Sequence, residues 1–332
     1  MTEKVTAHSS SAPAPARSAP SGLQTGGTGG ASGDRVFSGL AYGAGGLILV
    51  VLAFVAIFLV TESLPALWPT VFSDQDSISS ADTFLQYVLP LMGGTIIASI
   101  IALIIATPVA VGIALYISHY APRRIATPVG YVIDLLAAIP SVVYGAWGMV
   151  TLAPALVPIY GWLHEHLGFL PFFAGDPSTT GRTLATSGVV LAVMILPIIT
   201  SLCREIFVQT PKLHEEAALA LGATQWEMVR ATVFPFARAG IVSSVMLGLG
   251  RALGETMAVT LVLSPGVFSL SLITSGRNAT IPSEIALNFP EAFGMRQSEL
   301  IAAGLMLFII TLAVNMIARW IVSRHKEFSG AN

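Results

Sequence analysis

Two residues of opposite charge, Arg251 and Glu255, lie four positions apart within an apolar stretch of the chain. On a continuous helix this spacing places both side chains on one face. An arginine inside a membrane-spanning helix costs roughly 2.5–3.5 kcal/mol on insertion scales, so it is a functional candidate by default. Two interpretations stay open: the residues neutralise each other as a structural salt bridge, or Arg251 offers its forked guanidinium to an oxyanion in a water-filled pathway.

Under the second interpretation, Glu255 either orients Arg251 or accepts a proton-bearing oxygen of the anion. The latter role would favour protonated phosphate over sulfate, because sulfate has no proton to donate at neutral pH. Gly250 and Gly254 flank the same helix face and leave space beside it.

The composition indicates that the stretch with these charges belongs to a membrane protein. The chain has 332 residues, of which 54% are hydrophobic and 10% are charged, whereas a soluble domain carries roughly a quarter charged residues. About 20 apolar residues cross the hydrocarbon core as a helix. We therefore predict an all-α integral membrane protein with about six spans, at Ala41–Val60, Leu91–Ile117, Ile133–Leu156, Leu184–Leu202, Ile241–Leu263 and Leu300–Ile321.

The distribution of basic residues predicts the orientation. With the N-terminus inside, twelve of the 16 Lys and Arg residues fall in cytoplasmic segments, and Arg251 lies within a span. The external segments contain only Arg182, Arg277 and Arg296. Because Lys and Arg are enriched on the cytoplasmic side, both termini are predicted to be cytoplasmic.

The polar segment 204–235, between spans four and five, is predicted to be a helix, a turn and a second helix outside the membrane. Thr210 is expected to cap the first helix, and Gly222 supplies the left-handed residue that ends it. Thr224, with Glu227 three residues later, forms a capping box for the second helix. The segment has no basic face, so no nucleic-acid partner is expected.

The same segment resembles the EAA loop of ABC importer permeases. Glu216, Ala217 and Ala218 are followed by Gly222 four residues later and by Pro235 thirteen residues after that. The family's Ile-x-Leu-Pro run is altered here to Thr-Val-Phe-Pro, although the spacing is kept. In that family the loop is a coupling helix that seats in a groove of the ATP-hydrolysing subunit.

Two further runs resemble the phosphate-importer permeases of the PstC type: GRALGETMAVT at 250–260 and LAAIPSVVYG at 136–145. The family's intramembrane Arg and Glu, implicated in phosphate passage, match Arg251 and Glu255. The resemblance implies the type I ABC importer (MetI-like) permease fold over residues 85–325. Residues 38–84 are then a first anchor with an external loop, and residues 1–37 a disordered cytoplasmic tail.

The resemblance also implies partners in a bacterial plasma membrane: a homologous PstA-type permease, two PstB-type ATP-binding subunits and an external PstS-type phosphate-binding protein. The chain has no GxxxxGK[ST] sequence, so it lacks the usual phosphate-cradling loop. ATP and magnesium are expected on the separate ATPase. No cofactor or metal is expected on this chain, and it is expected to be a transport subunit rather than an enzyme.

Other functions stay open at this point. An importer for another oxyanion, such as sulfate or molybdate, would share most of these features. An ion-driven secondary transporter would show inverted repeats and unwound half-helices, and we find no clear internal repeat. A membrane-anchored sensor would need a signalling domain, and the N-terminal composition does not provide one.

Overall fold

The computed structural model of the chain describes residues 30–67, 83–264, 266, 269–276 and 278–323. The chain divides into two units, of which the first ends at Val55 and the second begins at Ala56. Within the described residues the regular structure is helical, without strands. Most of the predicted tail and of the first external loop, and Arg277, lie outside the described residues.

The α-helices are numbered in chain order. They are α1 (Gly30–Leu67), α2 (Phe84–Leu115), α3 (Arg123–Ala137), α4 (Ser141–Trp147), α5 (Ala153–Leu167), α6 (Leu184–Val208), α7 (Lys212–Ala220), α8 (Gln225–Met228), α9 (Phe234–Leu253), α10 (Met257–Val262), α11 (Ile281–Asn288) and α12 (Met295–Ser323). Three π-helical turns lie at Tyr116–Tyr120, Gly148–Leu152 and Val229–Val233. They extend α2, join α4 to α5, and join α8 to α9.

Six helical stretches among the described residues are long and apolar enough to cross a bilayer, as predicted. They are Arg35–Leu67, Phe84–Tyr120, Ser141–Leu167, Leu184–Val208, Gln225–Leu253 and Met295–Trp320. Many of their large apolar side chains are not covered by the rest of the chain. A lipid solvent accommodates that exposure, and each helix satisfies its own backbone hydrogen bonds.

The predicted third span, Ile133–Leu156, is wrong. Helix α3 ends at Ala137, and the spanning helix begins only at Ser141, with Pro140 as its N-cap residue. Pro140 lacks an N–H group and disfavours the helical conformation at the residue before it, so the apolar run is split rather than kinked. Pro108 and Pro197, by contrast, lie inside α2 and α6 as predicted.

Helix α6 is the centre of the packed core, and more of it is buried than of any other spanning helix described. Helix α2 meets the core through a stripe of almost fully buried alanines at four-residue spacing, Ala98, Ala102, Ala106, Ala110 and Ala114. Residues four apart share a helix face, and small residues let membrane helices approach closely. The same close approach occurs at Gly248 of α9, where an added Cβ atom would lie 2.8 Å from a methyl carbon of Ile199.

Candidate functional site

The fifth spanning helix is interrupted at the charged run. Helix α9 ends at Leu253, Gly254 is its C-cap residue, and α10 begins at Met257. The predicted continuous span Ile241–Leu263 is therefore wrong at both ends, since the helical stretch runs from Gln225 to Leu253. Glycine has a poor helix propensity, so Gly254 is a weak point at which a helix ends readily.

Glu255 occupies the interruption as a buried residue, with only 9% of its surface exposed. Its Oε1 atom accepts a hydrogen bond from the Ala258 backbone N–H at 3.0 Å. That N–H lies in the first turn of α10, where backbone donors have no partner within the helix. A carboxylate at this position also interacts favourably with the helix dipole, so Glu255 anchors the start of α10.

Helix α10 packs closely on α4, which brings two of the sequence motifs together. A Cβ atom added to Gly145 would lie 2.7 Å from the Cα atom of Ala258. Beside it, the Tyr144 hydroxyl donates a 2.8 Å hydrogen bond to the Leu136 carbonyl, across the break at Pro140. The runs 136–145 and 250–260 therefore form one site in which two interrupted helices support each other.

Arg251 is arranged differently from Glu255. It precedes the interruption, and its side chain is exposed on this chain. Within the described part of the chain, the ion pairs are His119–Glu215 and Arg204–Asp134. Arg251 and Glu255 thus do not form the salt bridge that a continuous helix would allow.

Arg251 lines a cavity of about 1250 Å³ between α9 and α12. The other polar residues in its wall are Ser243 on α9 and Asn315 and Arg319 on α12. Sequence reasoning counted Arg319 only as a basic residue of the cytoplasmic side. The four-residue spacing of Asn315 and Arg319 could have indicated a polar site, because it puts both residues on one face of an otherwise apolar helix.

The segment between α6 and α9 has the predicted helix–turn–helix form. Gly222 adopts a left-handed φ of 87° directly after Leu221, the C-cap residue of α7. At the start of α8, the Thr224 Oγ1 atom accepts from the Glu227 N–H at 3.3 Å, and Glu227 Oε2 accepts from the Thr224 N–H at 2.8 Å. This capping box confirms the prediction. The predicted Thr210 cap is wrong, because Pro211 is the N-cap residue of α7.

Some residues of the EAA-like motif are exposed on the surface of this segment, and others pack against the rest of the chain. Glu216 and Ala217 are exposed, whereas Ala218 packs against the hydrophobic core. Pro235 lies in the first turn of α9 rather than in a loop. The outer surface is apolar in part: Leu213 and Leu221 are 75% and 90% exposed.

One contact of α7 was not predicted from the sequence. The His119 Nε2 atom lies 3.4 Å from Glu215 Oε1, and this pair connects the π-helical end of α2 to α7. His119 also contacts Ser118 through its Nδ1 atom, at 2.7 Å. Helix α7 is thereby connected to α2 through His119, and to α9 through α8 and the π-helical turn that joins them.

Among the described residues, six apolar helices, a charged cavity between α9 and α12 and a capped helix–turn–helix segment fit a membrane-embedded transport protein. The protein family described as the binding-protein-dependent transport system inner membrane component matches residues 106–327. The match covers more than half of the chain, so the chain belongs to this family. The family description and the six apolar helices make it a multi-pass protein of the bacterial plasma membrane.

Curated relatives narrow the class to one kind of permease. The phosphate transport system permease proteins PstC 2 of Mycobacterium tuberculosis and Mycobacterium bovis are each 45% identical over 300 residues, or 86% of this chain and 91% of theirs. The phosphate transport system permease protein PstC of Mesorhizobium japonicum is 40% identical over 305 residues, or 90% of this chain and 92% of its own. These relatives are transport permeases rather than enzymes.

Solved structures confirm the fold. The MetNI methionine ABC transporter in an inward-facing conformation matches with a TM-score of 0.52 and 18% identity, over 75% of this chain and 100% of the other. A bacterial alginate ABC transporter, solved with an alginate-bound periplasmic protein, matches with a TM-score of 0.56 and 16% identity, over 88% and 96%. At such identities the likeness defines the MetI-like importer fold alone.

Proposed function

We propose that this chain is the permease subunit of an ATP-driven importer of inorganic phosphate and forms half of its translocation pathway. The observation that carries the proposal is the exposure of Arg251 on the cavity between α9 and α12, unpaired with Glu255. The identity of 45% to PstC 2 proteins supports phosphate as the substrate. Arg251 lies in the run that resembles phosphate permeases.

In this proposal Arg251 and Glu255 have separate tasks. The planar guanidinium of Arg251 offers two parallel N–H donors to two oxygens of a tetrahedral anion. Glu255 is a positioning residue, because its carboxylate bonds to the Ala258 N–H and anchors α10 beside α4. Because the fifth span is interrupted, the guanidinium of Arg251 is available to the anion, and the carboxylate of Glu255 stabilises the interruption.

The segment 204–235 would couple this pathway to the ATPase. The exposed Glu216, Ala217 and Gly222 form the outer surface for that partner, and Ala218 packs inward. Displacement of α7 would pass through the helical stretch from α8 past Pro235 to the end of α9, where Arg251 lies. Rigid-body movement of packed helices is the usual form of such coupling.

The membership in a binding-protein-dependent family supports an assembly with separate subunits. The proposed partners are a PstA-type permease, two PstB-type ATP-binding subunits and a PstS-type phosphate-binding protein. ATP and magnesium would bind to the ATPase subunits. The termini would be cytoplasmic, which places α7 on the cytoplasmic side, and residues 85–325 would form the permease domain.

Labelled phosphate uptake tests the proposal in cells that lack their own high-affinity phosphate permeases but receive this chain with its cognate partner subunits. The native chain should restore uptake that excess sulfate and molybdate leave unchanged. Arg251→Ala should abolish it at equal membrane abundance, because the anion loses its charged donor. Uptake suppressed by sulfate or molybdate would instead indicate a permease for that oxyanion, and equal uptake by Arg251→Ala would remove Arg251 from the pathway.

A further inference from the structure

We propose that Arg319 and Asn315 of α12 form a second oxyanion-binding site, at the α7 end of the cavity that Arg251 lines. The site would receive the phosphate after Arg251 and release it toward the cytoplasm. This inference rests on the proposed function and deepens it, because it assigns the second half of the path to particular residues.

The placement of the two arginines follows from the walls of the cavity. The α9 wall extends from Ser243 to Arg251, and the α12 wall from Leu312 to Arg319. The end residues of each wall are seven or eight positions apart, which at 1.5 Å per residue is roughly 11–12 Å. Successive spans cross the membrane in opposite directions, so Arg319 lies near the level of Ser243, and Arg251 near the level of Leu312. The two arginines are therefore anchored at opposite ends of one cavity.

The chemistry at the Arg319 end suits a phosphate-type anion. Asn315 precedes Arg319 by one helical turn, so a side-chain amide and a guanidinium share one face of α12. Together they offer several N–H donors, whereas the Ser243 hydroxyl at the same level already donates its proton to the Ala239 carbonyl at 2.9 Å. Arg319 and Asn315 are exposed on this chain, and neither has a hydrogen-bond or ion-pair partner within the described part.

Two binding positions also answer a kinetic requirement of a transport path. Permeation requires sites that bind strongly enough for entry and weakly enough for release. Much of the wall between the arginines is apolar, with Met246, Leu247 and Met316, and would solvate an anion poorly. A second guanidinium at the far end would draw the anion from Arg251 and so speed release.

A phospholipid headgroup carries the same phosphate oxyanion chemistry, and arginines near helix ends reach toward headgroups. We favour the transported anion, because Arg319 shares one cavity with Arg251 rather than lying on a separate lipid-facing surface. The two sources differ in one testable respect: headgroup binding would require an anionic lipid, because the phosphate of phosphatidylcholine is already neutralised by its own choline.

The test measures ATP-driven phosphate uptake by the complete transporter, with all cognate subunits and the binding protein, in proteoliposomes. Arg319→Gln and Asn315→Asp would be compared with Arg319→Lys, which keeps the charge. Arg124→Gln on α3 is the matched control, since Arg124 is also exposed and basic but does not line the cavity. Each variant would be assayed in pure phosphatidylcholine and in phosphatidylcholine mixed with phosphatidylglycerol.

We expect Arg319→Gln and Asn315→Asp to lower the maximal uptake rate about tenfold or more in both lipids, the range for losing a charge-assisted hydrogen bond. Arg319→Lys should retain more activity, and Arg124→Gln should match the native rate. The half-saturating phosphate concentration should stay unchanged, because the external binding protein sets it.

Native rates for both Arg319→Gln and Asn315→Asp would overturn the inference while leaving the phosphate function intact. A defect seen only with phosphatidylglycerol would overturn it in favour of a lipid headgroup. Variants that fail to co-purify with the partner subunits while Arg319→Lys assembles would indicate a structural role and also overturn it. Failure of the native complex to transport phosphate would remove the proposed function and this inference together.

Discussion

Two of the interruptions between helices have different surroundings: the one between α7 and α8 lies outside the spanning bundle, and the one between α9 and α10 lies within it. At the first, Gly222 takes a left-handed conformation, and an exposed capping box at Thr224 starts the next helix. At the second, the buried carboxylate of Glu255 bonds to the first turn of α10. Both bonds join residues three apart in sequence, but the first lies on an exposed surface, whereas Glu255 and Ala258 are buried.

The difference shows what each environment requires. Near water, the spare backbone groups of a helix end are solvated, and a local cap improves on that by about 1 kcal/mol. Away from water, an unsatisfied backbone group costs several kcal/mol. The inner interruption therefore depends on a buried charge and on close packing against α4, and its loss should affect transport far more than loss of the outer cap.

The strongest test of this comparison is Glu255→Ala. Removing the acceptor leaves the Ala258 N–H unsatisfied and frees α10, and a lost hydrogen bond to a charged group costs about 1.5–3 kcal/mol. We expect uptake to fall about tenfold or more, measured as labelled phosphate uptake at equal membrane abundance. Glu255→Gln keeps an acceptor oxygen and should retain much of the activity. Equal loss in the Ala and Gln variants, with normal assembly, would show that the charge itself is required.

A second test alters the packing around the inner interruption without changing a charge. In Gly145→Ala the added Cβ atom would lie 2.7 Å from the Cα atom of Ala258, so α10 must move away from α4. Such overpacking typically costs 1–3 kcal/mol, and we expect uptake to fall by about fivefold or more. Gly161→Ala on α5 is the control, because nothing lies within 4 Å of its added Cβ atom. Unchanged uptake in both variants would mean that the α4–α10 contact is dispensable.

The smallest expected effect is at the outer interruption. Thr224→Ala removes the oxygen that accepts from the Glu227 N–H, at a cost of about 0.5–2 kcal/mol. Hydrogen exchange at that amide should accelerate roughly fivefold for each 1 kcal/mol lost, while uptake changes little. Thr224→Ser keeps the oxygen and should behave like the native chain. A loss of uptake as large as that of Glu255→Ala would contradict the proposed contrast between the two interruptions.

Local and compositional features were determined by the sequence alone. The number of spans follows from hydropathy, because only a long apolar helix is stable in hydrocarbon. The form of the α7–α8 segment follows from Gly222 and the Thr224–Glu227 box, because these residues act on backbone groups within a few positions. The motifs at 136–145 and 250–260 indicated the family correctly, since they are read directly along the chain.

The tertiary structure decided how those motifs are used. An apolar run gives no sign of whether Pro140 or Gly254 kinks a helix or ends it, because the outcome depends on which distant groups satisfy the freed backbone. Only the packed structure shows that Glu255 accepts a hydrogen bond from Ala258 instead of pairing with Arg251. It also shows that Arg251 and Arg319, which are 68 positions apart in the sequence, line the same cavity. Helical periodicity relates residues within one helix, whereas contacts between helices are set by the packing of the whole bundle.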